Sequence, residues 1–235
     1  MSGVNSMITR CGESRNVWNV AYSDRSVRRI GCETERMTRL SKVEPENWDP
    51  KLRELIHPDE RTPLENGLMR YFAHRPELAM GVMSFSGSLK RHRQLDSRLV
   101  ELVRLRVAFH NQCRSCMAIR YTDALDAGLT EDAVCSLATP DDAPDLTAAE
   151  RAAIRFGELF ATNHLAIDDA MFDELREHFS EGQIIELALD VAMFVGIGRL
   201  GAILHMVDEL PDVFRGGEIA PGQLSPWGNE SIVVR

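Results

Sequence analysis

The residues best suited to chemistry are Cys113 and Cys116, the ends of a Cys-Arg-Ser-Cys run. Two thiols at this spacing on a helical turn can close a disulfide with little rearrangement, which suits reversible thiol–disulfide exchange. The same spacing is half of a zinc site, but a zinc ion needs four ligands, and no second Cys-x-x-Cys or paired histidines complete the set. Inert structural thiols are the remaining alternative. The other cysteines, Cys11, Cys32 and Cys135, are unevenly spaced, and five in all is an odd count. This is not the dense pattern of a secreted disulfide scaffold, so a reducing, cytoplasmic setting is expected, with neither metal nor cofactor.

The elements that must position this pair read as helix after helix from about residue 62 to 210. Pro63 fits an early helical position before Leu64, Leu68, Met69 and Phe72, and a Met-rich segment follows from Glu77 to Leu89. Asp96 or Ser97 caps a third helix running to Phe109, apolar over most of its circumference, with Glu101 and Arg104 sharing its polar sector. Arg106 falls inside the apolar arc of that helix and calls for a carboxylate partner. A fourth helix is expected to begin near the cysteines and stop at Gly128, and Thr130 caps a short one through Leu137. Residues 138–145 form a linker. Thr147 and Glu150 then have the spacing of a capping box, and Asp168 opens the next helix. The last long helix spans roughly Glu181 to Glu209. No alternation of period two is found, so the fold class is all-α.

The run Ser97–Ala108, followed by Asn111-Gln-Cys113-Arg-Ser-Cys116, resembles the carboxymuconolactone decarboxylase family, and more closely its alkylhydroperoxidase D-like branch. The Ala127–Asp132 block, Leu146-Thr147 with Arg155-Phe156, and Glu186–Arg199 share the likeness, which covers about residues 62–210. The resemblance implies an oligomeric, alkylhydroperoxidase D-like helical bundle that reduces hydroperoxides. Cys116 would be the peroxidatic thiol, Cys113 the resolving thiol and Glu101 the carboxylate of a proton relay. The branch usually carries histidine four residues after the second cysteine, where this chain has Arg120. Arginine stays protonated, so it can favour a thiolate electrostatically but cannot shuttle a proton. His110, three residues before Cys113, is the nearest substitute. On a continuous helix Glu101 and Cys116 would be too far apart for a relay, so the chain must break near Asn111-Gln112 and turn back.

Three functions compete. The first is a thiol-dependent peroxidase with a small-molecule hydroperoxide substrate and a thiol electron donor. The second is decarboxylation of a lactone substrate, which needs no dithiol. The third is a non-catalytic, redox-sensing helical oligomer. A formal net charge of −9 argues against nucleic acid, since phosphate binding needs clustered cations. Glu186 and Asp190 interrupt the longest apolar run, which is therefore expected to be a buried core helix, not a membrane span. Aromatics make up only 6% of the chain, so an aliphatic core is expected. Three regions follow: residues 1–36 as a disordered or non-native extension, 37–210 as the helical domain, and 211–235 as an irregular tail. Two helices apolar nearly all round predict a homo-oligomer.

Overall fold

A computed structural model describes residues 39–215 and 231–235; the expected extension over residues 1–36 lies outside the described residues. In chain order the helices are α1 (Pro50–Ile56), α2 (Gly67–Phe72), α3 (Pro76–Arg91), α4 (Ser97–Asn111) and α5 (Arg114–Ala118). They continue as α6 (Thr122–Asp126), α7 (Glu131–Ser136), α8 (Ala148–Thr162), α9 (Asp169–Arg176), α10 (Glu181–Leu204) and α11 (Asp212–Arg215). Two short strands, β1 (Ile119–Tyr121) and β2 (Ile232–Val234), pair in parallel, with Arg120 opposite Val233. The all-α expectation holds, apart from this one small ladder.

The helix starts follow from local chemistry. Asp96 accepts the amide protons of Arg98 and Leu99, satisfying donors that the first turn of α4 leaves open. Thr147 and Glu150 make the reciprocal capping box, Ser180 and Gln183 make a second, and Asp168 caps α9. The core is aliphatic, as the composition requires. Leu102, Val103, Leu105 and Val107 of α4 have no exposed surface, nor do Ala152, Ala153 and Ile154 of α8. Gly157 lets α8 approach closely, for a Cβ there would lie 2.8 Å from Cγ1 of Val103.

α4 and α10 run side by side in the same direction. Near their N-termini, Glu186 accepts the amide protons of Gln94 and Leu95; near the other end, Asn111 donates to the Phe194 carbonyl and Arg199 donates to Asn111.

Four expectations need correction. The expected fourth helix is divided: it stops at Ala118, runs through β1, and resumes as α6 before Gly128 turns the chain with φ +87°. The C-terminal tail is not irregular throughout, since residues 232–234 supply the second strand. The last long helix ends at Leu204, where His205 adopts a left-handed φ of 56°. Nor is that helix a buried core helix: of its 24 residues seven are buried, and Ile185, Leu189 and Ile203 are exposed. By length and composition alone it is apolar enough to cross a membrane.

Candidate active site

The dithiol sits where α4 ends and the chain reverses. Gln112 takes a left-handed conformation with φ 50°, breaking the helix at the place the relay geometry requires. Cys113 then becomes the N-cap of α5, and its Sγ accepts the Cys116 amide proton at 3.3 Å. The two sulfurs are joined as a disulfide, with Cα atoms 5.2 Å apart. Cys113 is fully buried against α10, and a Cβ on Gly201 would lie 3.4 Å from its sulfur. Cys116 is partly exposed and stands on the wall of a cavity of about 530 Å³. Between the cysteines, Arg114 turns outward and donates to the carbonyls of Phe214 and Arg215.

Glu101 and Arg104 line the same cavity. Their ion pair is bidentate, at 2.6 Å on both arms, and it is buried, with Glu101 3% and Arg104 7% exposed. The solvated i,i+3 pair that helix spacing alone would give is thus replaced by a desolvated one, because the turn after α4 folds over it. The remaining donors of Arg104 reach the carbonyl oxygens of Cys116 at 2.7 Å and Ile119 at 3.0 Å. One guanidinium therefore ties Glu101 to the turn that carries Cys116. Burial opposes the charge on Arg104, but the Glu101 carboxylate outweighs it and holds the guanidinium above its usual pKa. The Tyr121 ring lies 5.1 Å from this guanidinium, and burial pushes its phenol pKa upward against the pull of Arg104.

The other two predicted site residues point elsewhere. Arg120 is on β1, not one turn further along the cysteine helix, because α5 ends at Ala118. It is 1% exposed and donates to Glu131 and to the carbonyls of Met117 and Ile119. His110 faces Glu158 at 3.3 Å. Neither lines the cavity. Glu158 also receives Arg106, supplying the carboxylate that arginine was expected to need. The pull of His110 and Arg106 lowers the Glu158 pKa, although its burial works in the opposite direction.

Two cavity residues were missed as site candidates. Tyr121 had no sequence signal. Asp190 did, as a carboxylate inside an apolar run, but it was read only as a bar to membrane insertion. It is 3% exposed, and burial pushes its pKa up to about 6. Cys135 takes no part in this site; it packs against the main core. Among the described residues, no cluster of three or more His, Cys, Asp or Glu side chains is placed to hold a metal ion.

Residues 76–159, from α3 into α8 and including both cysteines, match the carboxymuconolactone decarboxylase family. The match covers about a third of the chain. An uncharacterized protein of Mycobacterium tuberculosis is 35% identical over 121 residues, which cover 50% of this chain and 42% of the relative. The match thus spans under half of that relative's length. An uncharacterized Bacillus subtilis protein is 25% identical over 120 residues, covering 51% of this chain and 81% of its own. Among solved structures, the alkylhydroperoxidase AhpD core of an uncharacterized peroxidase-related protein from Ralstonia eutropha superposes with a TM-score of 0.61 at 20% identity. That likeness covers 82% of this chain and all of the other. A protein of unknown function from Agrobacterium tumefaciens gives 0.50 at 22% identity, covering 60% of this chain and 95% of the other. At these identities the structural likeness speaks for the fold. The helical fold is thus the one that the alkylhydroperoxidase D-like resemblance implied.

Proposed function

We propose that the chain is a thiol-dependent peroxidase that cycles Cys113 and Cys116 between dithiol and disulfide. The observation that carries this reading is the asymmetry of the pair: Cys116 stands on a cavity wall, and Cys113 lies buried behind it within disulfide reach. The Cys116 thiolate attacks the terminal oxygen of a hydroperoxide, the O–O bond breaks, and the products are a Cys116 sulfenic acid and an alkoxide that takes up a proton. Cys113 then attacks the sulfenic sulfur, forming the disulfide and releasing water. Two thiols of an external donor return both cysteines to the reduced state.

Arg104, not Arg120, is the cation beside the reacting turn, and its contact with the Cys116 carbonyl fixes that turn against the cavity. Glu101 positions Arg104 through the bidentate pair and is tied to the dithiol turn by this linkage. The relay role expected of Glu101 would be exercised from within this pair.

The test is consumption of cumene hydroperoxide with dithiothreitol as reductant. The parent protein should turn over, and Cys116→Ser should not. Cys113→Ser, reduced beforehand and freed of dithiothreitol, should stop after one oxidation, leaving a sulfenic acid that dimedone traps. Consumption by Cys116→Ser at the parent rate would overturn the assignment.

A further inference from the structure

The cavity extends well beyond the dithiol. From α10 it is lined by Asp190, Met193, Phe194, Ile197, Gly198 and Gly201, the three-and-four spacing of one helical face. Gly201 marks the dithiol end through its approach to Cys113. Asp190 lies eleven residues earlier, about 16 Å away along the helix axis. The rest of the lining is mainly apolar and includes Leu68, Met83, Val100, Phe194 and Ile197.

Asp190 is almost fully buried, and its Oδ2 has no hydrogen-bond partner. The charged groups around it are largely engaged with one another, although Arg93 keeps a buried Nε without a partner and pulls electrostatically on Asp190. Arg93 reaches Ser97 and Asp123, Lys90 reaches Asp123, and Glu186 accepts the amides of Gln94 and Leu95. Among the described residues no cation comes within ion-pairing distance of Asp190. A buried acceptor without a donor costs stability, and such groups in native structures call for an explanation. Here the unused oxygen belongs to a side chain on the cavity wall, so a ligand can supply the missing donor.

We propose that Asp190 is the far anchor of an elongated substrate site, accepting a hydrogen bond from a terminal hydroxyl on an otherwise aliphatic hydroperoxide whose peroxide end lies at Cys116. The peroxide half of this statement rests on the function proposed above; the hydroxyl anchor does not. A hydroxyl fits better than an ammonium group because Lys90 and Arg93 line the same end of the cavity, and better than a carboxylate because Asp123 and Asp190 do.

The anchor is tested without redox chemistry, by calorimetric titration of the whole protein with octanol, octyl methyl ether, octylamine and octanoate. Octanol should bind about tenfold more tightly than the ether, the gain from a hydrogen bond to a charged acceptor. Asp190→Leu should abolish that preference while still binding the ether; Asp190→Asn, which keeps an acceptor oxygen, should retain part of it. Equal binding of octanol and ether, an unchanged preference in Asp190→Leu, or tighter binding of octylamine or octanoate would overturn the anchor. Cys116→Ser should keep the octanol preference. If the parent protein shows that preference but consumes no hydroperoxide, the dithiol function fails and the anchor stands.

Discussion

At the scale of single residues, the structure separates two arginines that sequence spacing made look alike. Arg104 faces the cavity and holds the Cys116 turn, whereas Arg120 is spent on Glu131 and two backbone carbonyls. Replacing Arg120 by alanine should therefore cost stability, roughly 1–3 kcal/mol for a buried donor set whose carboxylate partner is half exposed. It should leave peroxide consumption by the surviving folded protein unchanged; urea melts and initial rates check the two halves separately. Asp190 gives a pH prediction. Its pKa rises from 3.8 to about 6 on folding, so the folded state holds the proton more tightly than the unfolded chain. Below about pH 4 both states are protonated and the group has no effect. Between about pH 4 and 6 the unfolded chain gives up this proton while the folded state keeps it, so stability falls by roughly 3 kcal/mol at 1.36 kcal/mol per pH unit and levels off above pH 6. Asp190→Asn should flatten the fall in melting temperature between pH 4 and 6; an unchanged slope would place the effect elsewhere. The cysteines were legible because their chemistry is carried by residue type and spacing. The tie of Arg104 to the dithiol turn was not legible, since its contacts run to carbonyls, which side-chain patterns do not encode.

At the scale of elements, helix starts were easier to read than helix interiors. Asp96, Thr147 and Asp168 all cap where their side chains and spacing indicated, because capping is settled within three or four residues. The break between α5 and α6 was not legible. β1 is held by Val233 and its neighbours more than a hundred residues away, a contact that local propensity cannot report. Gly157 is another position where a distant partner decides. Its missing Cβ accommodates Val103 and Val107 of α4 and Val191 of α10, so Gly157→Ala should be destabilising by about 1–3 kcal/mol despite the better helix propensity of alanine. A more stable Gly157→Ala variant in urea would show that the α4–α8 packing yields more readily than these distances imply.

At the scale of the whole molecule, the protein leaves much apolar surface uncovered. Ile185, Leu189 and Ile203 of α10 are 61%, 41% and 56% exposed, and Leu78 and Phe85 of α3 are 60% and 43% exposed. Isolated apolar residues on a surface are ordinary, but a row of them along one long helix marks a contact. We expect self-association through α10, seen by sedimentation at micromolar concentration. A double substitution Ile185→Glu with Leu189→Glu should shift the protein towards monomer; a parent protein that sediments as a monomer would count against it. The all-round apolar character of this helix was visible in the sequence, but which side would stay uncovered was not. That depended on α4 and α8 together covering the face that carries Ile184, Leu187 and Val191.

The placement of Arg114 between a buried and an accessible cysteine has an analytical consequence. Trypsin cuts after Arg106, Arg114 and Arg120, so digestion assigns Cys113 to the peptide 107–114 and Cys116 to the peptide 115–120. From the oxidised protein, digested without reductant, these fragments travel together as one covalently linked mass. From the reduced protein they separate, and each carries its own record of labelling. A bulky maleimide applied briefly to the folded, reduced chain should mark fragment 115–120 well before 107–114, because only the second thiol is within reach. The two peptide masses therefore report, from a single digest, both the oxidation state of the pair and which sulfur meets an incoming reagent first.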